Sequence, residues 1–349
     1  MARVLVAMSG GVDSATAALI LKHKGHDVAG GILVFEGISE QSVTRAQETA
    51  RHLDIPFSVF NVRREFQKKI IDRFMAEYRR GRTPNPCVWC NKYIKFDLLF
   101  ERARAQGRSM IATGHFARIR EHNGLFLLKR GVDKNEQSYF LYRLDQKKLS
   151  RMIMPLGAYT KGRVRNLAHR YGLPVASSKK SQDICFVPGG GYAALFIKKN
   201  IVKKGPIKNM HGEVIGEHSG TVFYTIGQRR GIGVSGRSPY YVTRIDAKSN
   251  TLYVGSRDDC YASSLYARDI HYIVPESVRS SRMVQAKVRY VSRLSRAVIT
   301  PITEHGVKVT FRRRQWAPTP GQSVVFYDHD RVLGGGIIED PYQYSGKVH

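Results

Sequence analysis

Four cysteines, Cys87, Cys90, Cys185 and Cys260, are the most reactive side chains in this 349-residue chain. Two of them form a Cys-x-x-Cys in the stretch PNPCVWCNK (84–92). That spacing serves structural zinc, thiol–disulfide exchange, an iron–sulfur cluster or a nucleophilic thiol. Structural zinc needs four ligands, commonly two such pairs or one pair with two closely spaced histidines. Only one pair is present, and no two histidines with three to five residues between them accompany it. A thioredoxin-like pair belongs to a different strand–helix setting. The nucleophile and the cluster remain, and Cys260, in DDCYASS, reads as a buried, inert thiol.

The second reactive feature is SGGVDSA (9–15), between the apolar run RVLVAM (3–8) and a helical pattern starting at Ala15. A strand–loop–helix junction of this kind points backbone N–H groups and a helix dipole at an anion. Gly10 and Gly11 permit the tight turn, and Ser9 and Ser14 offer hydroxyls to phosphate. Asp13 adds a carboxylate through which Mg2+ would bridge to a polyphosphate. No Gly-Lys-Ser/Thr follows, so this is not a Walker loop. A second glycine pattern, GIGVSG (231–236), leads into an extended segment rather than a helix and reads as a loop.

These groups need a frame to hold them. Strand-like runs at 27–35, 56–62 and 109–115 alternate with helical patterns at 43–54, 64–81, about 92–106 and 160–172. Such alternation predicts an α/β unit with a doubly wound parallel sheet. After about residue 200 the pattern turns to short strands and turns, among them a hairpin around Lys248-Ser249-Asn250. The expected division is 1–200 for the α/β catalytic unit, 201–264 for a small β-rich unit, and 265–349 for a second one.

Charge narrows the partners. The chain carries 57 basic against 28 acidic residues, a net +29 spread over the sequence without a basic tail. A folded surface following a polyanion such as RNA is the expectation, with salt-sensitive binding. No run of about 18 apolar residues is present, so no helix should span a membrane. The N-terminus lacks a signal-peptide pattern, and a cytoplasmic location is expected.

Taken together, PNPCVWCNKYIKF (84–96), ATGHFAR (112–118), QSYFLYRL (137–144), SQDICFV (181–187) and YTIGQRRGIG (224–233) resemble the bacterial tRNA-specific 2-thiouridylases. The tail stretches VQAKVRY, PGQSVVFY and VLGGGII do so as well, in order along nearly the whole chain. SGGVDS likewise resembles the PP-loop of ATP pyrophosphatases. The resemblance implies a PP-loop, adenine nucleotide alpha hydrolase-like fold, two β-rich modules of which the last is a β-barrel, and ATP with Mg2+. It implies an activity too: adenylation of the C2 oxygen of the wobble uridine in the anticodon arm, then replacement of that oxygen by sulfur. The sulfur donor would be a cysteine desulfurase or a sulfur-carrier protein.

Site residues follow from the same resemblance. Cys90 corresponds to the catalytic nucleophile and Cys185 to the persulfide carrier. Ala7, Met8, Ser9, Gly10, Gly11, Val12, Asp13, Ser14, Leu33 and Gly114 would bind ATP; Leu33 stands where methionine is frequent. Asn85, Pro86, Cys87, His115, Gln137, Ser138, Arg289, Tyr290 and Gln322 would contact tRNA, with Asn85 at the target base. The base must leave its stack, so a pocket lined by residues 84–91 is expected. Arg79, Arg80 and Arg82 stand just upstream, where they could hold anticodon phosphates.

One departure opens a second mechanism. Many relatives have aspartate where Cys87 stands; here Cys87, Cys90 and Cys185 could ligate a [4Fe–4S] cluster that delivers sulfide. Two further functions compete on paper. A PP-loop synthetase acting on a small metabolite accounts for SGGVDS but not for the charge or the cysteines. A non-catalytic RNA-binding protein with a vestigial nucleotide site accounts for the charge alone.

Overall fold

The structure is a computed structural model describing residues 1–178, 185–187, 192–197, 202–274 and 280–340. Residues 181–184 of the SQDICFV motif and the terminal stretch 341–349 lie outside the described residues.

Five strands form the first sheet: β1 (Arg3–Ala7), β2 (Asp27–Val34), β3 (Phe57–Asn61), β4 (Met110–Ala112) and, after a hairpin of other strands, the short Met152–Ile153. All pairings are parallel, in the order β3-β2-β1-β4 with Met152–Ile153 outermost. β1 and β2 are apolar on both faces and almost fully buried, as expected of central strands covered by helices. Helix α1 (Val12–His23) buries Ala15, Ala18, Leu19 and Leu21 against this sheet, and α2 (Glu40–His52) adds Ala46 and Ala50. The expected doubly wound α/β unit is therefore present.

Two helical stretches differ from a plain α pattern. Residues 63–79 contain a π-helical segment at Gln67–Ile71, and residues 86–105 contain another at Asn91–Phe96. The second starts earlier than the sequence pattern predicts. Pro86 occupies its first turn, where a fixed φ favours helix and the missing N–H costs nothing. Cys87 and Cys90 thus sit on the first turn of a helix, not in a preceding loop.

The C-terminal part is a closed antiparallel barrel of six strands, Tyr261–Tyr272, Gly306–Trp316, Ser295–Thr303, Arg282–Lys287, Ser323–Asp328 and Arg331–Ile338 in that spatial order. The last closes back on the first. Its interior holds Leu265, Val284, Ile299, Val309 and Phe326. Between sheet and barrel, Tyr241–Asp246, Thr251–Gly255, Gly205–Lys208 and Val214–His218 form a four-stranded sheet.

A hairpin absent from the sequence reading, Ala117–His122 with Leu125–Arg130, attaches to the barrel through the Arg331–Lys129 pairing. Its turn is Asn123-Gly124, both with positive φ (49° and 74°), the conformation that Asn-Gly hairpins favour. The hairpin ties the first sheet to the barrel, and one core cluster spans both. Leu5 and Ile111 of the sheet meet Val325, Tyr327 and Val332 of the barrel around the fully buried Tyr139 and Tyr142. Among the described residues, no helix is long and apolar enough to cross a membrane.

Candidate active site

The SGGVDS loop leaves the carboxyl end of β1. Strand order reverses there, with β2 on one side and β4 on the other, the place where open α/β sheets bind ligands. Gly10 has φ +72°, and a Cβ on it would lie 2.2 Å from the Ser42 carbonyl oxygen. Gly114, just past β4, approaches so closely that a Cβ would stand 2.8 Å from the Asp13 backbone. No side chain caps α1 at Gly11, which leaves its first N–H groups open to an anion. The Ser14 hydroxyl accepts from the Ser9 N–H (3.0 Å) and donates to the Gly11 carbonyl (3.0 Å), fixing the loop. Behind it, Met8, Val12 and Leu33 are buried and Ala7 is half-buried, an apolar wall suited to a purine.

Two cations flank this loop that sequence reasoning did not assign. Arg45 of α2 donates to the Gly10 carbonyl at 3.1 Å. Lys161, opening the helix Lys161–Arg170, pairs with Asp13. Each stands far from the loop in sequence, so only the fold brings them in. The donor set (one carboxylate, open helix N–H groups and seryl hydroxyls) fits a Mg2+–polyphosphate, with Asp13 as the protein ligand.

The three thiols lie beyond the same strand ends. Cys90 is buried in an apolar cluster with Trp89, Ile94, Leu98 and Phe186. Phe186 follows Cys185 directly, and its ring sits edge-on to Phe66 (5.5 Å) and Phe74 (5.3 Å). The Cys185 carbonyl rests on Gly37, whose Cβ would overlap it at 1.8 Å. Cys185 as a residue is exposed, Cys87 is half-buried, and all four cysteines are free. Burial pushes the Cys90 thiol up to about 12, against the pull of the Lys95 ammonium. Burial likewise raises Cys87 and Cys185, and Lys95 again opposes it.

Lys95 is thus the charge common to all three sulfurs. At the α period, a residue five positions after Cys90 would point to a different face. The π-helical segment changes that, because its hydrogen bonds run i to i+5, as from Asp97 N–H to the Lys92 carbonyl. Lys95 is brought roughly one turn above Cys90. This explains why periodicity in the sequence did not single it out. His115 lies in the same field: burial first, and Lys95 second, depress it to about 3, so its ring is neutral. The Thr113 hydroxyl sits 2.8 Å from its Nδ1.

Among the described residues, no group of three or more His, Cys, Asp or Glu side chains is arranged to hold a metal ion. Cys87, Cys90 and Cys185 therefore do not form the ligand set of a cluster.

The residues expected to meet RNA fall into two sets. Asn85 stands at the N-cap position of the helix beginning at Pro86 without a side-chain cap hydrogen bond, near the Tyr139 hydroxyl, which donates to the Ser323 carbonyl at 2.8 Å. Pro86 is buried. The Gln322 amide donates to the carbonyls of Thr83 (2.9 Å) and Pro84 (3.4 Å). Tyr290 stacks obliquely on Phe140 at 4.6 Å and is half-buried. Others are occupied internally. The Gln137 side chain accepts from the Phe116 N–H, and Ser138 is fully buried beside Glu136. Arg289 donates to the Ile226 and Ala317 carbonyls and the Thr319 hydroxyl, tying the loop between Val214–His218 and Tyr241–Asp246 to the barrel unit. Arg82, grouped by sequence with Arg79 and Arg80, is instead buried between Glu77 and Glu339. Only Arg79 and Arg80 of that trio face outward.

Comparison with known proteins agrees with this architecture. Residues 2–189 match the family described as tRNA methyl transferase HUP domain, 195–256 the tRNA methyl transferase PRC-barrel domain, and 262–338 the aminomethyltransferase beta-barrel domain. The tRNA-specific 2-thiouridylase MnmA 2 of Clostridium botulinum is 43% identical over 347 residues, covering 97% of this chain and 98% of that protein. MnmA of Clostridium perfringens is 42% identical over 352 residues, with the same coverage. Among solved structures, the U34-tRNA thiolase NcsA of Methanococcus maripaludis with its [4Fe-4S] cluster aligns at 18% identity. It covers 57% of this chain and 67% of its own with a TM-score of 0.36, a likeness too slight to carry any argument. Full-length identity above two-fifths, with a family model matching residues 2–189, places the chain in the tRNA-specific 2-thiouridylase family.

Proposed function

We propose that this chain is a sulfurtransferase that replaces the C2 oxygen of the wobble uridine of tRNA with sulfur, consuming ATP and releasing AMP and pyrophosphate. One observation carries the reading. Gly114 seats against the Asp13 backbone, while its neighbour His115 shares the field of Lys95 with Cys87, Cys90 and Cys185. Nucleotide and sulfur chemistry would then adjoin at the carboxyl ends of the parallel strands.

In this account the open N–H groups of α1, with Lys161 and Arg45, bind the β- and γ-phosphates and hold the pyrophosphate as it leaves. Asp13 would hold Mg2+, which supplies charge neutralisation when bound. The uridine C2 oxygen attacks the α-phosphorus and becomes a leaving group as AMP. Cys185, exposed to a donor protein, receives a sulfane sulfur as a persulfide. Its terminal sulfur bonds to C2 and AMP departs. The Cys90 thiolate then attacks the Cys185 Sγ, the sulfur–sulfur bond to the base breaks, and a Cys90–Cys185 disulfide remains. Lys95 favours the anionic sulfurs in each step.

Residues 1–200 would do the chemistry, with 201–264 and 265–349 gripping the anticodon arm. Asn85, Pro86, Cys87, His115, Tyr290 and Gln322 would border the flipped base, and Arg79 and Arg80 would take phosphates. Gln137, Ser138 and Arg289 would shape that surface from behind. The working place would be the cytoplasm, and the donor a cysteine desulfurase or sulfur-carrier protein. The test is pyrophosphate release from ATP with and without tRNA. Release that needs tRNA supports the reading; tRNA binding with no release would mark a non-catalytic RNA binder.

A further inference from the structure

The proposed reaction passes sulfur through Cys185 and Cys90 and gives Cys87, beside the base, no part in that transfer. Cys87 precedes Cys90 by one turn of the helix that starts at Pro86, a spacing that puts Cβ atoms about 5–6 Å apart. A disulfide needs about 3.5–4.5 Å between Cβ atoms, so a small adjustment at this helix end closes the gap. Phe186, the residue after Cys185, packs in the same apolar cluster as Cys90. Cys90 is buried, whereas Cys87 is half-buried and Cys185 is exposed. The three sulfurs also feel one another's charge.

Resting on the proposed function, we infer that Cys87 is the resolving thiol that frees Cys185 for the next sulfur. After each transfer the Cys87 thiolate attacks the Cys90 Sγ of the Cys90–Cys185 disulfide. The Cys87–Cys90 bond forms, the Cys90–Cys185 bond breaks, and Cys185 leaves as a thiolate that is protonated or reloaded. The three sulfurs keep the same total oxidation level in this exchange. An external dithiol reductant then attacks the half-buried Cys87 sulfur, delivers the two electrons and departs as its own disulfide. Reduction is thereby moved away from Cys185, the sulfur that the donor must reach. The Lys95 ammonium, common to all three, stabilises whichever thiolate is leaving.

The experiment uses the full chain in two arms. In the first, fully reduced protein receives less than one equivalent of diamide under argon, is quenched with an alkylating agent at intervals, and has its disulfides mapped by mass spectrometry. The Cys90–Cys185 bond is expected early and the Cys87–Cys90 bond late, with Cys185 recovered as a free thiol. Persistence of Cys90–Cys185 as the sole disulfide overturns the relay. In the second arm, Cys87→Ser is compared with wild type in single and in multiple turnover, with a limiting dithiol as reductant. The variant is expected to lose about tenfold more in multiple turnover than in single turnover. Equal losses in both regimes overturn the inference and assign Cys87 to the base pocket. A wild type that makes no 2-thiouridine refutes the proposed function instead, and the disulfide map still decides the relay.

Discussion

The Gln322 side-chain amide donates to the Thr83 carbonyl at 2.9 Å, joining the barrel to the segment that leads into Pro86–Cys90. The Thr83 N–H returns a bond to the Pro320 carbonyl at 2.8 Å. The entry to the reactive helix is thus positioned by residues more than two hundred positions later in the chain. Gln322→Ala removes one tether worth about 1 kcal/mol and leaves a carbonyl less well paired. The expected result is a several-fold rise in KM for tRNA with KM for ATP unchanged. A matching rise for both substrates would mean that Gln322 supports the whole fold rather than this segment.

The buried Arg82 bridges Glu77 (2.7 Å) and Glu339 (2.8 Å), and Arg268 also reaches Glu339. Removing the guanidinium leaves the two buried carboxylates with only the more exposed Arg80 (Glu77, 3.4 Å) and Arg268 (Glu339) beside them. Arg82→Ala should lower unfolding free energy by about 3–5 kcal/mol, measured by urea denaturation. A loss below about 1 kcal/mol would show that water or neighbouring cations compensate.

Lys161 pairs with Asp13 at the phosphate loop. Lys161→Ala should slow tRNA-dependent pyrophosphate release by about a hundredfold, since it removes a fixed cation from the developing charge. tRNA affinity, measured by filter binding, should not change. If Lys161 serves only to hold Asp13, Lys161→Ala would lower ATP affinity alone and Lys161→Arg would restore it.

Cys90 is raised from its ordinary 9.0 to about 12 by burial, with Lys95 lowering it in opposition. Below that value the thiolate fraction grows about tenfold per pH unit. Alkylation of Cys90 should therefore climb steadily from pH 7 to pH 11, where a free cysteine would already level off. Lys95→Met should move the whole profile to higher pH, and Lys95→Arg should return it. The same shift has a sign for stability. A group that holds its proton more tightly when folded stabilises the fold below the ordinary 9.0, and that contribution fades as pH rises toward about 12. An unchanged profile in Lys95→Met would remove Lys95 from the sulfur chemistry.

Much of this was legible in the sequence because it is local. β1, β2 and the SGGVDS turn follow from apolar runs broken by glycines, and the barrel strands from short alternating segments. What escaped was long-range or off-period. Lys95 was hidden by a π-helical turn, and Arg45 and Lys161 by the sequence distance from Gly10 and Asp13. Arg82 looked like a surface cation because its neighbours Arg79 and Arg80 are; its partner Glu339 lies 257 positions away. The hairpin at Asn123-Gly124 did carry a readable signal, a turn dipeptide between alternating strands.

The central claim joins adenylation and sulfur transfer in one site while assigning them to different residues. Its most direct measurement is pyrophosphate and 2-thiouridine counted together in Cys90→Ala, with ATP, tRNA and a persulfide donor supplied. The account predicts that the variant still releases pyrophosphate on tRNA yet forms no 2-thiouridine. Formation of 2-thiouridine at the wild-type rate by Cys90→Ala would contradict it.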